Sequence, residues 1–176
     1  MAEHLREFIY LFDIDGTLMK VKDNILRNIL QDVLNELEVD YPDVQTVSLA
    51  GRTDFDIFNS FIDGHTEQER LFEEVKEEYI HRMESSLDEH KIEVFQGVSE
   101  CLQMLAEYGA SVGLLTGNFK RSGYSKLRAA GIAEYFQFGS FGEMHRNRND
   151  LPAVAFEDYY RYAEVKAHPE DFIIIG

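Results

Sequence analysis

The stretch FIYLFDIDGTL, residues 8–18, constrains the fold of this chain more than any other. Its apolar residues run continuously instead of alternating with polar ones, which predicts a strand over residues 7–13 that is buried on both faces. Asp13 and Asp15 follow at the end of this run, although an ionised carboxylate is costly to bury without a compensating partner. We therefore expect both carboxylates to protrude into a pocket that can hold a cation.

A block of helical periodicity, residues 20–91, interrupts the strand patterns. Apolar residues recur at helical spacing from Asp23, in the segment DFDIFNSFI, and from Thr66, where Glu69 completes a capping-box pattern. The block contains no pattern of a buried strand, so it predicts a small all-helical insert.

Strand and helix patterns alternate beyond this block. Three helical patterns lie over residues 97–108, in the segment that ends at Gly131, and after Pro152. They alternate with three strand patterns, SVGLLT (111–116), YFQFGSF (135–141) and FIIIG (172–176). This alternation predicts right-handed crossovers and a doubly wound parallel sheet of the Rossmann-like α/β class. Because ligands bind beyond the carboxyl ends of such strands, Asp13 and Thr116 should lie at one edge of the sheet.

Charge and composition exclude several classes of protein. Lys and Arg number 17 against 33 Asp and Glu, a net charge of −16 that repels nucleic acid and anionic lipid. No apolar segment approaches the length of a membrane span, and the charged start is not that of a signal peptide. The one cysteine, Cys101, is expected to be a core residue in a reducing cytoplasm.

The spacing of the two aspartates suits a phosphate-handling site. Side chains two positions apart on an extended chain project to the same side, where Mg²⁺ could bind them together with phosphate oxygens. One carboxylate can act as a nucleophile and the other as a general acid and base. Gly16 would permit a tight turn that leaves backbone N–H groups facing phosphate.

The motifs DIDGTL and LLTGN, the latter at residues 114–118, resemble the first two motifs of the haloacid dehalogenase-like hydrolases. The resemblance covers nearly the whole chain and implies a catalytic core over 1–19 and 92–176, with the helical insert 20–91 as a cap. It implies that Asp13 is the nucleophile and Asp15 the general acid and base, both near Mg²⁺. It also implies a set of phosphate-binding residues, namely Gly16, Thr17, Thr116, Gly117 and Asn118.

Two further assignments concern basic residues. The family's third motif is a Lys or Arg that offsets negative charge; we favour Arg148, with Arg146 and Lys120 as alternatives. In the cap, Arg52 either grips an anion at the far end of the substrate or pairs with a neighbouring aspartate, Asp54 or Asp56.

The second aspartate favours a phosphatase over a dehalogenase, because a departing alkoxide needs a proton and a halide does not. The sequence resembles that of phosphoglycolate phosphatases, so the expected partner is a small phosphorylated metabolite. Two alternatives remain, a phosphosugar mutase of the same family and an inactive remnant that binds a phosphorylated ligand. The inactive remnant is suggested by the absence of the family's acidic fourth motif, which is expected to follow FIIIG. The same absence predicts a core without its C-terminal part, and an uncovered last strand through which the protein could self-associate.

Overall fold

The computed structural model describes residues 8–41 and 43–176. Within these ranges, no helix combines the length and the apolar character needed to cross a membrane. The strands are β1 (Ile9–Phe12), β2 (Met19–Val21), β3 (Ile92–Val94), β4 (Ser111–Leu115), β5 (Gly139–Ser140) and β6 (Phe172–Ile175). The helices are α1 (Ile25–Glu36), α2 (Asp54–Ile62), α3 (Gln68–Ser86), α4 (Val98–Glu107), α5 (Lys120–Ala129) and α6 (Leu151–Ala163).

Four parallel strands form the central sheet in the order β5-β4-β1-β6. The strand β1 lies inside this sheet between β4 and β6, which explains its continuously apolar sequence. Its predicted first residue, Glu7, lies outside the described residues. Because the strands are parallel, the residues that follow β1 and β4 emerge at the same edge.

Both faces of the sheet are covered by helices, as a doubly wound fold requires. One apolar cluster joins Phe12 and Leu114 to Leu102 of α4 and Leu127 of α5. A second cluster joins alternate residues of the same strands to α6: Ile9, Leu11, Leu115, Phe138, Leu151 and Ala155. The predicted α/β class is therefore confirmed. On β6, Ile174 is 53% exposed; self-association through this strand stays a prediction.

The three helices α1, α2 and α3 share a third apolar cluster, which we call the cap. The cap joins the rest of the chain through β2 and β3, which pair antiparallel at the predicted boundaries, although no strand was expected within residues 20–91. Phe119, from the segment after β4, lies fully buried inside the cap cluster, where its ring contacts Phe58 and Phe72 edge-on. This residue fixes the cap against the sheet domain.

Two local predictions differ from the structure. Helix α3 begins at Gln68 without the Thr66–Glu69 capping box; instead Arg70 reaches back to form an ion pair with Glu67. The strand expected over 135–141 shortens to β5, because Tyr135 belongs to a 3₁₀ turn, Ala133–Tyr135, and residues 136–138 connect this turn to β5 without forming a strand. The phenylalanines of this segment are nevertheless buried, Phe136 and Phe141 in one apolar cluster and Phe138 in the other. Because Phe136 and Phe138 are two positions apart, a continuous strand would have placed them on the same face.

Candidate active site

A cavity of about 440 Å³ lies between the carboxyl ends of the strands and the cap. Most of the residues expected to act on phosphate line it, namely Asp13, Asp15, Gly16, Arg52, Gly117, Asn118 and Arg148. Thr17 and Thr116 are absent from the lining. A larger groove, of about 1220 Å³, opens beside α3, but none of these motif residues lines it. The smaller cavity is therefore the candidate active site.

Asp13 is held by the backbone of the central sheet. Its N–H donates to the carbonyl of Ile175 at 2.9 Å, so the pairing of β1 with β6 extends to the aspartate. One carboxylate oxygen, Oδ1, accepts the N–H of Ile14 at 2.8 Å, and the other is paired with the guanidinium of Arg148. The turn that follows requires Gly16, whose φ is +84°.

Asp15 is tied to the segment after β4 through two side chains. Its Oδ2 atom accepts from Nδ2 of Asn118 at 2.8 Å and from Nζ of Lys126 at 2.6 Å. Nζ of Lys126 also donates to Oδ1 of Asn118 at 2.6 Å, which closes a three-residue network. The Asp15 side chain keeps 44% of its surface exposed because it faces the cavity, whereas Lys126 keeps 3%.

The network sets the charge of Asp15. Burial among protein atoms raises the pKa of this carboxyl, but the charge and hydrogen bond of Lys126 outweigh that effect, helped by Asn118 and Arg148. The net result is an Asp15 pKa below its ordinary value. In the unliganded protein at neutral pH, Asp15 is therefore ionised.

Thr116 and Asn118 are arranged by the tight turn after β4. The buried Thr116 hydroxyl accepts from the Asn118 side chain at 2.8 Å and from its N–H at 3.3 Å. No described residue accepts the Thr116 proton. Gly117 lies against the cap, because a Cβ atom there would stand 2.5 Å from the carbonyl oxygen of Arg52. The second motif thus contacts Asp15 on one side and the cap on the other.

The structure distinguishes the three candidates for the basic residue of the third motif. Arg148, in a 3₁₀ turn before α6, reaches the carboxylate of Asp13. Lys120 and Arg146 are exposed and do not line the cavity. The ammonium of Lys120 instead lies 5.6 Å from the centre of the Phe141 ring.

Arg52 forms an ion pair with Asp56, which was the predicted alternative to binding an anion of the substrate. Its Nε atom donates to Oδ2 of Asp56 at 2.6 Å, and an Nη atom donates to the Asp56 carbonyl at 3.0 Å. The side chain still lines the cavity, with 28% of its surface exposed. Its charge is balanced within the cap.

Asp54 links the cap to the second motif. Its N–H donates to the carbonyl of Gly117 at 2.7 Å, and its Oδ2 accepts from the N–H of Phe119 at 2.8 Å and the Ser122 hydroxyl at 3.2 Å. The neighbouring Thr53 hydroxyl donates to the carbonyl of His145 at 2.6 Å. Burial raises the pKa of Asp54 to about 6, against the opposing effect of Lys126.

The donors at the site suit a sparsely coordinated Mg²⁺. Among the described residues, no cluster of three or more His, Cys, Asp or Glu side chains could hold a metal. Mg²⁺ does not need such a cluster, since one or two carboxylates, water and substrate phosphate commonly hold it. Asp13 and Asp15, on the cavity wall, match that donor set.

Two residues of this site were not predicted from the sequence. Lys126 lies one helical turn after Ser122 on α5, and that spacing of polar residues could have marked a face directed at the site. Asp54 was considered only as a partner of Arg52. Its position at the start of α2 gives no sign that it bonds to the segment after β4.

Comparison with known proteins identifies relatives of the whole chain. A family profile described as haloacid dehalogenase-like hydrolase matches residues 10–175. A comparison with curated protein sequences returns no significant match.

Solved structures with the same fold include three phosphate-handling proteins. CbbY from Rhodobacter sphaeroides, in complex with phosphate, has a TM-score of 0.69 at 18% identity, covering 96% of this chain and 76% of its own. A β-phosphoglucomutase from Clostridium difficile scores 0.66 at 16% identity, with coverages of 96% and 75%. A predicted phosphoglycolate phosphatase from Haemophilus somnus scores 0.67 at 18% identity, with coverages of 97% and 77%.

Proposed function

Because this chain belongs to the haloacid dehalogenase-like hydrolases, we propose that it is a Mg²⁺-dependent phosphatase of small phosphomonoesters, acting through an aspartyl-phosphate. Membership supports a hydrolase of the phosphatase type. The observation that carries the proposal is the convergence of Asp13, Asp15, Asn118 and Arg148 on one cavity at the carboxyl ends of β1 and β4.

Each of these residues has a role in the proposed reaction. An oxygen of Asp13 attacks phosphorus, and the bond from phosphorus to the substrate oxygen breaks. The negative charge of the bound phosphate favours the protonated form of Asp15, which is ionised in the unliganded protein. The departing oxygen takes this proton, and Asp15 then takes one from the water that hydrolyses the acyl phosphate. Arg148 and the backbone at Gly117 bind the phosphoryl oxygens. Asn118 orients Asp15, and Thr116, which does not line the cavity, accepts from Asn118 and holds it in place. Bound Mg²⁺, held by Asp13 and the main chain at Asp15, would reduce repulsion between the carboxylate and the phosphate.

The proposed setting follows from charge and composition. The net charge of −16 argues against nucleic acid and anionic membrane as partners, so the proposed partner is a small phosphorylated metabolite. The single cysteine suits the cytoplasm. A phosphosugar mutase shares the proposed chemistry up to the acyl phosphate, so product analysis is needed to separate transfer to a sugar from transfer to water.

The Asp13→Asn substitution tests the proposal. An amide cannot form the acyl phosphate, so hydrolysis of an aryl phosphate should vanish while the melting temperature stays near that of the parent. Asp40→Asn, at an exposed position of the cap, is the matched control and should keep full activity. Removal of the divalent metal by chelation should abolish activity reversibly. Parent-level activity in Asp13→Asn would exclude Asp13 as the nucleophile.

A further inference from the structure

We propose that the part of the substrate beyond its phosphate is apolar and carries no second anionic group. This inference rests on the proposed function, since it concerns the other half of the same cavity. The phosphate half, formed by the strand ends, is strongly polar, whereas the half formed by the cap is not. The cap side chains that give it this character are Leu26, Leu30, Leu49, Ile57, Phe58 and Tyr79.

Among the described residues of the cap that line the cavity, no positive charge is left unbalanced for a second anion. Arg52 is the one cation that the cap's described residues contribute to the lining, and both its Nε and one Nη are occupied by Asp56. A carboxylate or second phosphate would have to share the guanidinium with the Asp56 carboxylate, which already balances its charge. The pair therefore presents a nearly neutral surface to the cavity.

The other ionisable groups of the cap that line the cavity, Asp54 and Tyr79, supply no positive charge to an anion. Asp54 lines the cavity, and its pKa of about 6 leaves it mostly ionised at neutral pH. The Tyr79 hydroxyl stays neutral, because burial and the nearby charges of Asp54 and Asp15 raise its pKa well above the ordinary value. An anionic substrate body would meet repulsion from Asp54 and lose hydration against leucine and phenylalanine.

An apolar substrate body, by contrast, fits both the surface and the space. The cavity of about 440 Å³ must hold phosphate as well as the alcohol part, which limits the latter to a small aliphatic or a single-ring group. Such a group would remove apolar surface of the cap from water, which favours binding through the hydrophobic effect.

Two matched pairs of substrates test the inference. Isobutyl phosphate and phosphoglycolate are similar in shape, but the first carries an isopropyl group where the second carries a carboxylate. Cyclohexyl phosphate and inositol monophosphate share a ring but differ in its hydroxyl groups. We expect kcat/KM to be at least tenfold higher for the apolar member of each pair, with Mg²⁺ present. Hydrolysis with equal or higher kcat/KM for the polar members would overturn the inference and leave the proposed function standing.

Binding provides a readout that does not depend on turnover. Calorimetry with Mg²⁺ should show benzylphosphonate binding at least tenfold more tightly than 4-carboxybenzylphosphonate. If no ester is hydrolysed but this preference is found, the proposed function fails and the inference about the ligand holds. If neither hydrolysis nor the preference is found, both fail.

A substitution at Asp56 tests the role given to the ion pair. Asp56→Asn should free Arg52 and narrow the isobutyl phosphate to phosphoglycolate ratio of kcat/KM by at least threefold. The matched control is Asp63→Asn, at the exposed end of α2, which should leave the ratio unchanged. An unchanged ratio in Asp56→Asn would contradict the claim that this pair disfavours anions.

Discussion

Nζ of Lys126 lies 2.6 Å from Oδ2 of Asp15, and the two residues are separated by 111 positions in the sequence. This pair connects the helix after the second motif to the proposed acid and base of the first. The ammonium is buried and also bonds to Asn118, so its position is fixed. Lys126 thereby sets both the orientation and the charge of Asp15.

Lys126→Met should raise the pKa of Asp15, because the substitution removes the largest influence that lowers it. The limb of the pH–rate profile that depends on Asp15 should move to higher pH. Because Asp15 also loses the contact that orients it, we expect kcat/KM at neutral pH to fall by about tenfold to a hundredfold, the magnitude of a lost charge-assisted hydrogen bond. Profiles of kcat/KM against pH for an aryl phosphate measure both effects.

A purely structural role for Lys126 would give a different result. The variant would then melt at a lower temperature and lose activity equally at every pH. Lys126→Arg, which keeps the charge, should restore the position of the pH limb in part. Lys120→Met, on the exposed start of the same helix, is the matched control and should change neither profile nor rate.

Arg148→Ala should lower kcat/KM, because the guanidinium that pairs with Asp13 is expected to bind the phosphoryl group. We expect the loss to correspond to about 2–3 kcal/mol of transition-state stabilisation. Arg146→Ala, two residues earlier and exposed, should leave kcat/KM near the parent value. Steady-state kinetics on one aryl phosphate compares the two variants directly. A larger loss of kcat/KM in Arg146→Ala than in Arg148→Ala would identify Arg146 as the basic residue of the third motif.

Asp54→Asn should change the pH dependence of stability. In the folded protein the pKa of Asp54 is about 6, above its ordinary value of 3.8, so the folded state holds this proton more tightly than the unfolded state. The stability that this residue contributes is therefore complete below about pH 4 and is lost as the pH rises through about 6. An asparagine still accepts the Phe119 N–H and carries no charge.

The difference in unfolding free energy between Asp54→Asn and the parent should increase between pH 4 and 6 and level off above pH 7. A shift of about two units corresponds to roughly 3 kcal/mol as an upper order of magnitude. Urea unfolding at intervals of pH measures this difference, with Asp63→Asn as the exposed control. A difference that does not vary with pH would show that Asp54 titrates normally.

The sequence was sufficient to predict which motifs lie together, but not which side chains hold them in position. Asp13 and Thr116 each directly follow a strand of a parallel sheet, so their proximity follows from topology alone. Lys126 is different, because a lysine in a surface helix is ordinarily solvated and only the tertiary fold places it beneath Asp15. Phe119 and Asp54 likewise depend on how the cap sits on the sheet, which local periodicity does not encode.

Gly117→Ala should loosen the cap from the sheet domain. An added Cβ would stand 2.5 Å from the Arg52 carbonyl oxygen and 3.2 Å from Cα of Thr53, both backbone atoms that cannot rotate away. Relief of this overlap should break the 2.7 Å hydrogen bond from the Asp54 N–H to the Gly117 carbonyl. We expect a loss of about 1–3 kcal/mol in stability and a higher KM for an aryl phosphate.

Gly123→Ala is the matched control for this substitution. Its Cβ would stand 3.1 Å from Cδ1 of Ile14, the flexible end of a side chain, and alanine is preferred over glycine within α5 by up to about 1 kcal/mol. Thermal melts and KM measurements on both variants separate crowding at the cap from a general cost of replacing glycine. If Gly117→Ala melts and binds substrate as Gly123→Ala does, the contact between Arg52 and Gly117 does not hold the cap in place.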